Sequence, residues 1–279
     1  MKQFISFFLI FTFTIMTTFS QSYRKTWRSE VEKAYQQSSQ SKILTMSDIE
    51  HLPVPVQKYL IYTKSVGMPV INNIHIRFTG WFKMAPDKPY ARFNSEQYNF
   101  YSNPSRFYYM TMRVKGIGAK GLHVYKNENA TMKIKIAGLF TVADASGAKM
   151  NQGETVTVFN DMCLMAPSAL AFANVEWETV DSLTVKAIYT NGENRISATL
   201  YFNEEGQLIN FISDDRFQSA DGKEYQSYSW STPVGSYIEV EGRMIPSYGE
   251  AIWDMPEGQY CYGKFELKEA DFNCTELKK

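Results

Sequence analysis

The sequence predicts a mainly β protein of the α+β class, with about 12 strands in one large curved antiparallel sheet or half-barrel. Apolar Ile74, Ile76 and Phe78 alternate with polar neighbours, which is the period of a half-buried strand. Similar runs follow to the end of the chain, separated by turn-forming pairs such as Asn191-Gly192. The residues are 44% hydrophobic and 15% aromatic, which is enough for a packed core and excludes intrinsic disorder.

The charge balance and the scarcity of His and Cys exclude further classes. The 29 Lys and Arg residues match 29 Asp and Glu residues, whereas nucleic-acid binding needs a basic surplus. Three His and three Cys leave little material for a dedicated zinc site, and none of them has the spacing of metal ligands. We therefore expect neither a metal nor a cofactor, and no nucleic-acid partner.

The first twenty residues have the features of an export signal. Lys2 precedes the uncharged apolar stretch 4–19, and Thr18 and Ser20 are small residues suited to cleavage before Gln21. This predicts export across the inner membrane, to the periplasm or the outside. The alternative is an uncleaved N-terminal anchor, which would be the chain's only contact with a membrane.

Two helices are expected before the sheet. Trp27 and Val31 have helical spacing in an otherwise polar segment, which indicates an amphipathic helix. Pro55 suits the first turn of a second helix. We expect residues 21–66 to form a helical segment that packs on the sheet, and residues 67–279 to form a single β-rich domain.

The strands of that domain follow from the alternating runs, and one helical insertion interrupts them near residues 154–173. Strands are predicted around Ile76 and at residues 90–101, 107–115, 122–126, 131–136, 175–180, 184–189, 195–202, 208–216, 224–230, 237–240, 245–253 and 260–272.

The glycine-rich segment 116–121 matches the dinucleotide-binding pattern Gly-x-Gly-x-x-Gly. That pattern binds pyrophosphate only at the N-terminus of a helix that follows a strand. Here the continuation, Leu122 to Tyr125, alternates as a strand. The segment is therefore interpreted as a hairpin turn.

One motif carries a family resemblance. Residues 52–60 (LPVPVQKYL) precede Gly67-Met68-Pro69 and a strand ending at Phe82. This opening, with diffuse matches up to Phe265, resembles a bacterial family of exported or membrane-associated proteins with a domain of unknown function. The resemblance implies no known reaction. The layout is also similar to the half-barrel of LolA-type lipoprotein carriers, in which a curved sheet wraps an apolar concavity lidded by helices.

The aromatic residues on the strands suggest an apolar ligand, because a curved sheet of this size can enclose a cavity. The first hypothesis is an exported, non-enzymatic protein that binds a lipid or another apolar molecule in that concavity. An envelope structural or protein-interaction module is the alternative. The candidate ligand-binding residues are Trp81, Tyr98, Tyr109, Met110, Trp177, Arg216 and Trp230.

Charged residues suggest a link between the helical insertion and the sheet. Alternation places Asp214 and Arg216 on one face of their strand, so that Arg216 could pair with Glu154 or Asp161 of the insertion. The expected role of these charges is structural. A third hypothesis makes the same carboxylates, with Asp214, the catalytic groups of an envelope hydrolase.

Cysteines leave two alternatives open. An oxidising compartment would permit a disulfide between Cys261 and Cys274. They flank one predicted strand, however, so they could pair only if the chain doubled back. Otherwise these two and Cys163 are free thiols.

Overall fold

The structure, a computed structural model, describes residues 23–35, 42–219 and 222–278. The predicted export signal lies outside these residues. The α-helices are α1 at residues 23–35, α2 at Val54–Tyr62 and α3 at Ala148–Met165, and a 3-10 helix follows at Pro167–Phe172. Among the described residues, no helix combines the length and the apolar composition needed to cross a membrane.

Sixteen strands account for most of the remaining chain. In chain order, β1 to β16 are Asn73–Phe82, Ala91–Phe100, Ser105–Val114, Ile117–Lys126, Asn129–Ile136, Phe140–Ser146, Val175–Thr179, Thr184–Asn191, Asn194–Phe202, Leu208–Ser213, Phe217–Gln218, Gln226–Ser227, Ser229–Ser231, Val234–Val240, Arg243–Met255 and Gly258–Phe272.

Fourteen of these strands form one antiparallel sheet, which is curved and does not close into a barrel. Its order is β6-β5-β4-β3-β2-β1-β16-β15-β13-β10-β9-β8-β7, and β14 pairs with β15. The short strands β11 and β12 pair separately. This architecture confirms the predicted fold class.

The helix α3 connects the two edges of the sheet. It follows β6 at one edge and precedes β7 at the other, and it contacts β5 and β6 as well as β9, β10 and β15. The chain therefore crosses the concave face as a helix. From Gly153 to Met165 almost every residue of α3 is buried, because the curved sheet surrounds it.

The helix α1 covers the opposite, convex face. Trp27 and Val31 are fully buried there against aromatic residues of β2 and β3. The Trp27 indole Nε1 donates a hydrogen bond of 2.9 Å to the Phe107 carbonyl. Within the described residues, this confirms the amphipathic helix that the spacing of Trp27 and Val31 predicts.

Several local predictions differ from the structure. Segment 116–121 is not a turn as a whole: the turn lies at Lys115 and Gly116, and the other residues belong to β4. The strand β6 was not predicted, and the predicted strand 224–230 is divided between β12 and β13. The helical insertion also begins earlier, at Ala148.

The structure gives the cysteines as free thiols. Cys163 is buried in α3, and all three cysteines are unpaired. Cys261 lies near the start of β16 and Cys274 lies just beyond its end. The structure thus does not contain the Cys261–Cys274 disulfide.

Candidate functional site

Strand alternation determines which side chains reach the concave face. In β3, Arg106, Tyr108 and Met110 line a cavity there, whereas Phe107 and Tyr109 pack with α1 on the convex face. Successive residues of a strand point to opposite faces. Two adjacent candidates such as Tyr109 and Met110 therefore cannot share one site.

The cavity lies between α3 and the concave face and has a volume of about 290 Å³. This is just below the range of about 300–1,000 Å³ that is typical of small-molecule sites. Its apolar wall is rich in flexible methionines, which adapt to irregular ligands. The methionines of this wall are Met84, Met110, Met132, Met150 and Met165, and they are joined by Phe78, Phe82, Ile134 and Phe265.

A glycine helps to keep this space open. A Cβ atom at Gly121 of β4 would lie 3.8 Å from Met110 Cε and 4.0 Å from Ile134 Cγ1, both on the apolar wall. Those are ordinary van der Waals distances, so a side chain at Gly121 would enter the cavity without a backbone clash. Its absence leaves room between β3 and β5.

One side of the cavity is polar and centres on the buried Arg106. Its guanidinium donates three hydrogen bonds: from Nε to Asp161 Oδ2 at 2.9 Å, from Nη1 to Glu154 Oε2 at 3.2 Å and from Nη2 to Gln97 Oε1 at 3.3 Å. Asp161 Oδ2 also accepts from the Gln97 and Asn99 side-chain amides. The network fixes α3 to β2 and β3 and satisfies the buried carboxylate of Glu154 and the partly buried carboxylate of Asp161.

The electrostatics of this network keep Glu154 ionised. Burial by itself would raise the pKa of Glu154, but the close His123 imidazole and the positive charges of Arg106 and Arg216 outweigh it and lower the pKa to about 2. His123 Nδ1 is 3.6 Å from Glu154 Oε1. Burial would likewise lower the pKa of Arg106, but the two carboxylates raise it.

A second arginine, Arg216, lies on the same cavity against an aromatic base. Its Nε donates to Thr157 Oγ1 at 3.2 Å, and its Nη1 donates to the Tyr262 hydroxyl at 2.9 Å. The guanidinium carbon is 4.4 Å from the Trp230 ring centroid and 5.5 Å from that of Trp253. Arg216 is thus held mainly by neutral groups.

The predicted charge pairing is present in altered form. Arg216 Nη2 lies 4.0 Å from Glu154 Oε1, at the limit of an ion pair, and the chief partner of Glu154 and Asp161 is Arg106. Sequence reasoning missed Arg106 and His123. Strand alternation could have indicated Arg106, because it lies on the same face of its strand as the candidate Met110.

The candidate ligand-binding residues divide into two groups. Met110, Arg216 and Trp230 line the cavity together. The remaining four lie elsewhere, and for three of them the reason is strand alternation. Trp81 is next to Phe82 in β1, and Tyr98 is next to Gln97 in β2. Because Phe82 and Gln97 line the cavity, Trp81 and Tyr98 face away from it, as Tyr109 does.

These outlying aromatics have other partners. Tyr98 and Tyr109 pack against Trp27 of α1, at ring-centroid distances of 5.6 and 6.3 Å. Trp177 in β7 packs against Phe159 of α3 at 6.4 Å. Trp81 is 39% exposed. Its ring is stacked by the guanidinium of Arg92.

A second polar cluster lies away from the cavity, around the buried His75. Its imidazole lies 2.9 Å from Asp271 Oδ2 and 3.1 Å from Glu96 Oε1. In the described part of the chain, His75, Glu269 and Asp271 are close enough to share a metal ion. The Lys278 ammonium already contacts both acids, at 2.9 Å from Glu269 and 2.5 Å from Asp271.

Some solved structures are similar to this chain at low sequence identity. A LolA superfamily protein from Nitrosomonas europaea matches 80% of this chain and 95% of its own, with 8% identity and a TM-score of 0.44. A DUF1329 family protein from Desulfovibrio piger matches 78% of this chain and 92% of its own, with 8% identity and a TM-score of 0.35.

Sequence comparison is more specific. None of the curated proteins matches this chain. The family model of DUF6544, a family of unknown function, matches residues 42–265, which include the whole cavity wall from Phe78 to Phe265. The chain therefore belongs to the DUF6544 family.

Proposed function

We propose that this protein binds a lipid or another apolar molecule in the cavity between α3 and the concave face of the sheet. The observation that carries the proposal is the cavity of about 290 Å³ with an apolar wall of methionine and aromatic side chains. Water in such a space lacks polar partners along one side. Its replacement by an apolar ligand is favourable by about 25 cal/mol per Å² of buried apolar surface.

The volume favours a slender ligand. A space just below the typical small-molecule range suits one hydrocarbon chain or a small ring system better than several chains together. The methionines of the wall can change rotamer to follow such a chain. The polar side, built on Arg106, would orient the other end of the ligand.

The N-terminal sequence supports a role outside the cytoplasm. The uncharged stretch 4–19 after Lys2 has the pattern of an export signal. A protein with this signal would hold its apolar ligand in the aqueous space of the envelope, or at a membrane if the segment stays uncleaved. This part of the proposal is tested by determining the N-terminal residue of the mature protein.

The binding test uses a side chain that fills the cavity. Gly121→Leu would place a branched apolar group between Met110 and Ile134. We expect it to reduce binding of the uncharged fluorophore N-phenyl-1-naphthylamine at least about tenfold, since the bound probe and the new side chain need the same space. Fluorescence titration of the purified protein measures the change.

The matched control is Gly118→Leu on the same strand. Gly118 is exposed, and a Cβ atom there would meet nothing within 4 Å. This variant should bind the fluorophore like the wild type. Equal binding by all three proteins would contradict a ligand site in the cavity, and so would the absence of any probe binding.

A further inference from the structure

The cavity contains an arginine with unused hydrogen-bond donors. A guanidinium carries five N–H groups. Arg216 uses its Nε–H for Thr157 and one Nη1–H for Tyr262. Within the described part of the chain, no side chain accepts from the other Nη1–H or from the two on Nη2, although Arg216 lines the cavity and its side chain is 17% exposed.

The nearest carboxylate does not use these donors. Glu154 Oε1 is 4.0 Å from Arg216 Nη2, which is too long for a hydrogen bond. The other oxygen of Glu154 accepts from Arg106, which also binds Asp161. Both acids of α3 therefore accept hydrogen bonds from Arg106, and the remaining N–H groups of Arg216 stay available to a further anion.

Arg216 is also held in a fixed orientation. The Trp230 ring lies beneath its guanidinium, and the Trp230 indole Nε1 donates 3.0 Å to the same Tyr262 hydroxyl that accepts from Arg216. A planar guanidinium held in this way offers paired N–H groups that match the two oxygens of a carboxylate.

From these contacts we propose that the ligand is a fatty-acid-like molecule, a single hydrocarbon chain that ends in a carboxylate. Its carboxylate accepts hydrogen bonds from the free Nη1–H and Nη2–H groups of Arg216. Its chain lies along the methionine and aromatic wall that includes Met110 and Phe265. This inference rests on the proposed function, because it specifies the ligand of the same cavity.

The test compares two ligands that differ only at the polar end. Dodecanoic acid and 1-dodecanol displace N-phenyl-1-naphthylamine from the protein at pH 8, where a carboxyl group in water is ionised. We expect the acid to bind the wild type about 10–100-fold more tightly than the alcohol, the range of a charge-assisted hydrogen bond. In Arg216→Met this ratio should fall to about 1, while the affinity for dodecanol stays within about threefold.

A matched control removes another stacked arginine. Arg92 lies over Trp81, at 5.0 Å from its ring centroid, and does not line the cavity. Arg92→Met should keep the wild-type preference for the acid. Loss of the preference in Arg92→Met as well would overturn the role of Arg216.

Other outcomes distinguish a failure of the carboxylate inference from a failure of the proposed function. Equal affinities of the wild type for acid and alcohol would overturn the carboxylate inference and leave the apolar site intact. If neither ligand displaced a bound fluorophore, the fatty-acid inference would fail, whereas the proposed function would fail only if the fluorophore itself did not bind. A lysophosphatidic acid with the same chain that bound more tightly than dodecanoic acid would show that the anion is a phosphate instead.

Discussion

The two faces of strands β2 and β3 carry similar residues but are covered differently. On the convex face, Tyr98, Phe107 and Tyr109 pack in a hydrophobic cluster under Trp27 of α1. On the concave face, Tyr108 and its neighbours meet α3 through buried charges and leave a cavity. Aromatic content alone therefore does not locate a ligand site. The covering helix decides whether a sheet face becomes core or cavity.

The reason is the composition of the two helices. The inner face of α1 presents apolar groups such as Trp27 and Val31, which fill the space between the strand side chains. The middle of α3 presents Glu154 and Asp161, which need hydrogen-bond partners when buried. Those partners form one fixed polar region, and the cavity lies beside it.

The largest effect on stability should come from removing Arg106 from its network with Glu154 and Asp161 on the concave face. Arg106→Met removes the cation that bonds to both Glu154 and Asp161, and we expect the free energy of unfolding to fall by about 3–5 kcal/mol. Urea denaturation measures it. Arg113→Met is the control, because this exposed arginine of the same strand should change stability by less than about 0.5 kcal/mol. A similar loss in both variants would contradict the network's role.

Weakening the contact of α1 with the convex face should lower the free energy of unfolding slightly less. Trp27→Ala deletes a fully buried ring and its hydrogen bond to Phe107, and we expect a loss of about 3 kcal/mol in the free energy of unfolding. Lys25→Ala on the exposed side of α1 is the matched control and should be nearly neutral. An unchanged denaturation midpoint for Trp27→Ala would mean that α1 does not stabilise the sheet.

The smallest effect is a pH dependence that belongs to the concave face. The pKa of Glu154 is lowered from 4.5 to about 2 in the folded protein, so its contribution is present above pH 4.5 and is lost as the pH falls towards 2. By pH 3 this loss should reach about 2 kcal/mol. The measurement compares urea denaturation of the wild type and Glu154→Gln from pH 6 to pH 3.

Comparing the wild type with Glu154→Gln separates the contribution of Glu154 to acid sensitivity from those of other carboxyl groups. In the cluster around His75, burial opposes the ionisation of Glu96 and Asp271. Hydrogen bonds to His75 and nearby cations outweigh burial and lower the pKa of both acids. Both proteins share that second contribution to acid sensitivity. Stability curves with the same slope in the two proteins would rule out an ionised, ion-paired Glu154.

The sequence is a good guide to this fold because most strands pair with their neighbours in the chain. Alternation and turn pairs are local signals, so β8 and β9 are predicted almost to the residue. The strand β6 has no such signal, since its Phe140 and Val142 are exposed at the edge of the sheet. Its strand conformation depends on pairing with β5.

The site is predicted less well because it depends on register and on distant partners. Tyr109 and Met110 were both candidates, although adjacent residues of a strand point to opposite faces of the sheet. The roles of Arg106 and His123 required knowing that α3 lies over β3 and β4. That placement follows from α3 linking the two edges of the sheet, which no local pattern encodes.

The pairing of the first strand with the last also has a consequence for how the molecule folds. Ile74 lies opposite Phe272, and β16 is the seam between the meander β1–β6 and the strands β7–β15. Each side can form hairpins early from local contacts, but the halves are joined only when residues 258–272 arrive. Such distant pairing is slow, because the intervening loop must close first. Until then β1 and β15 are unprotected edges, the kind that chaperones cover and that aggregation exploits.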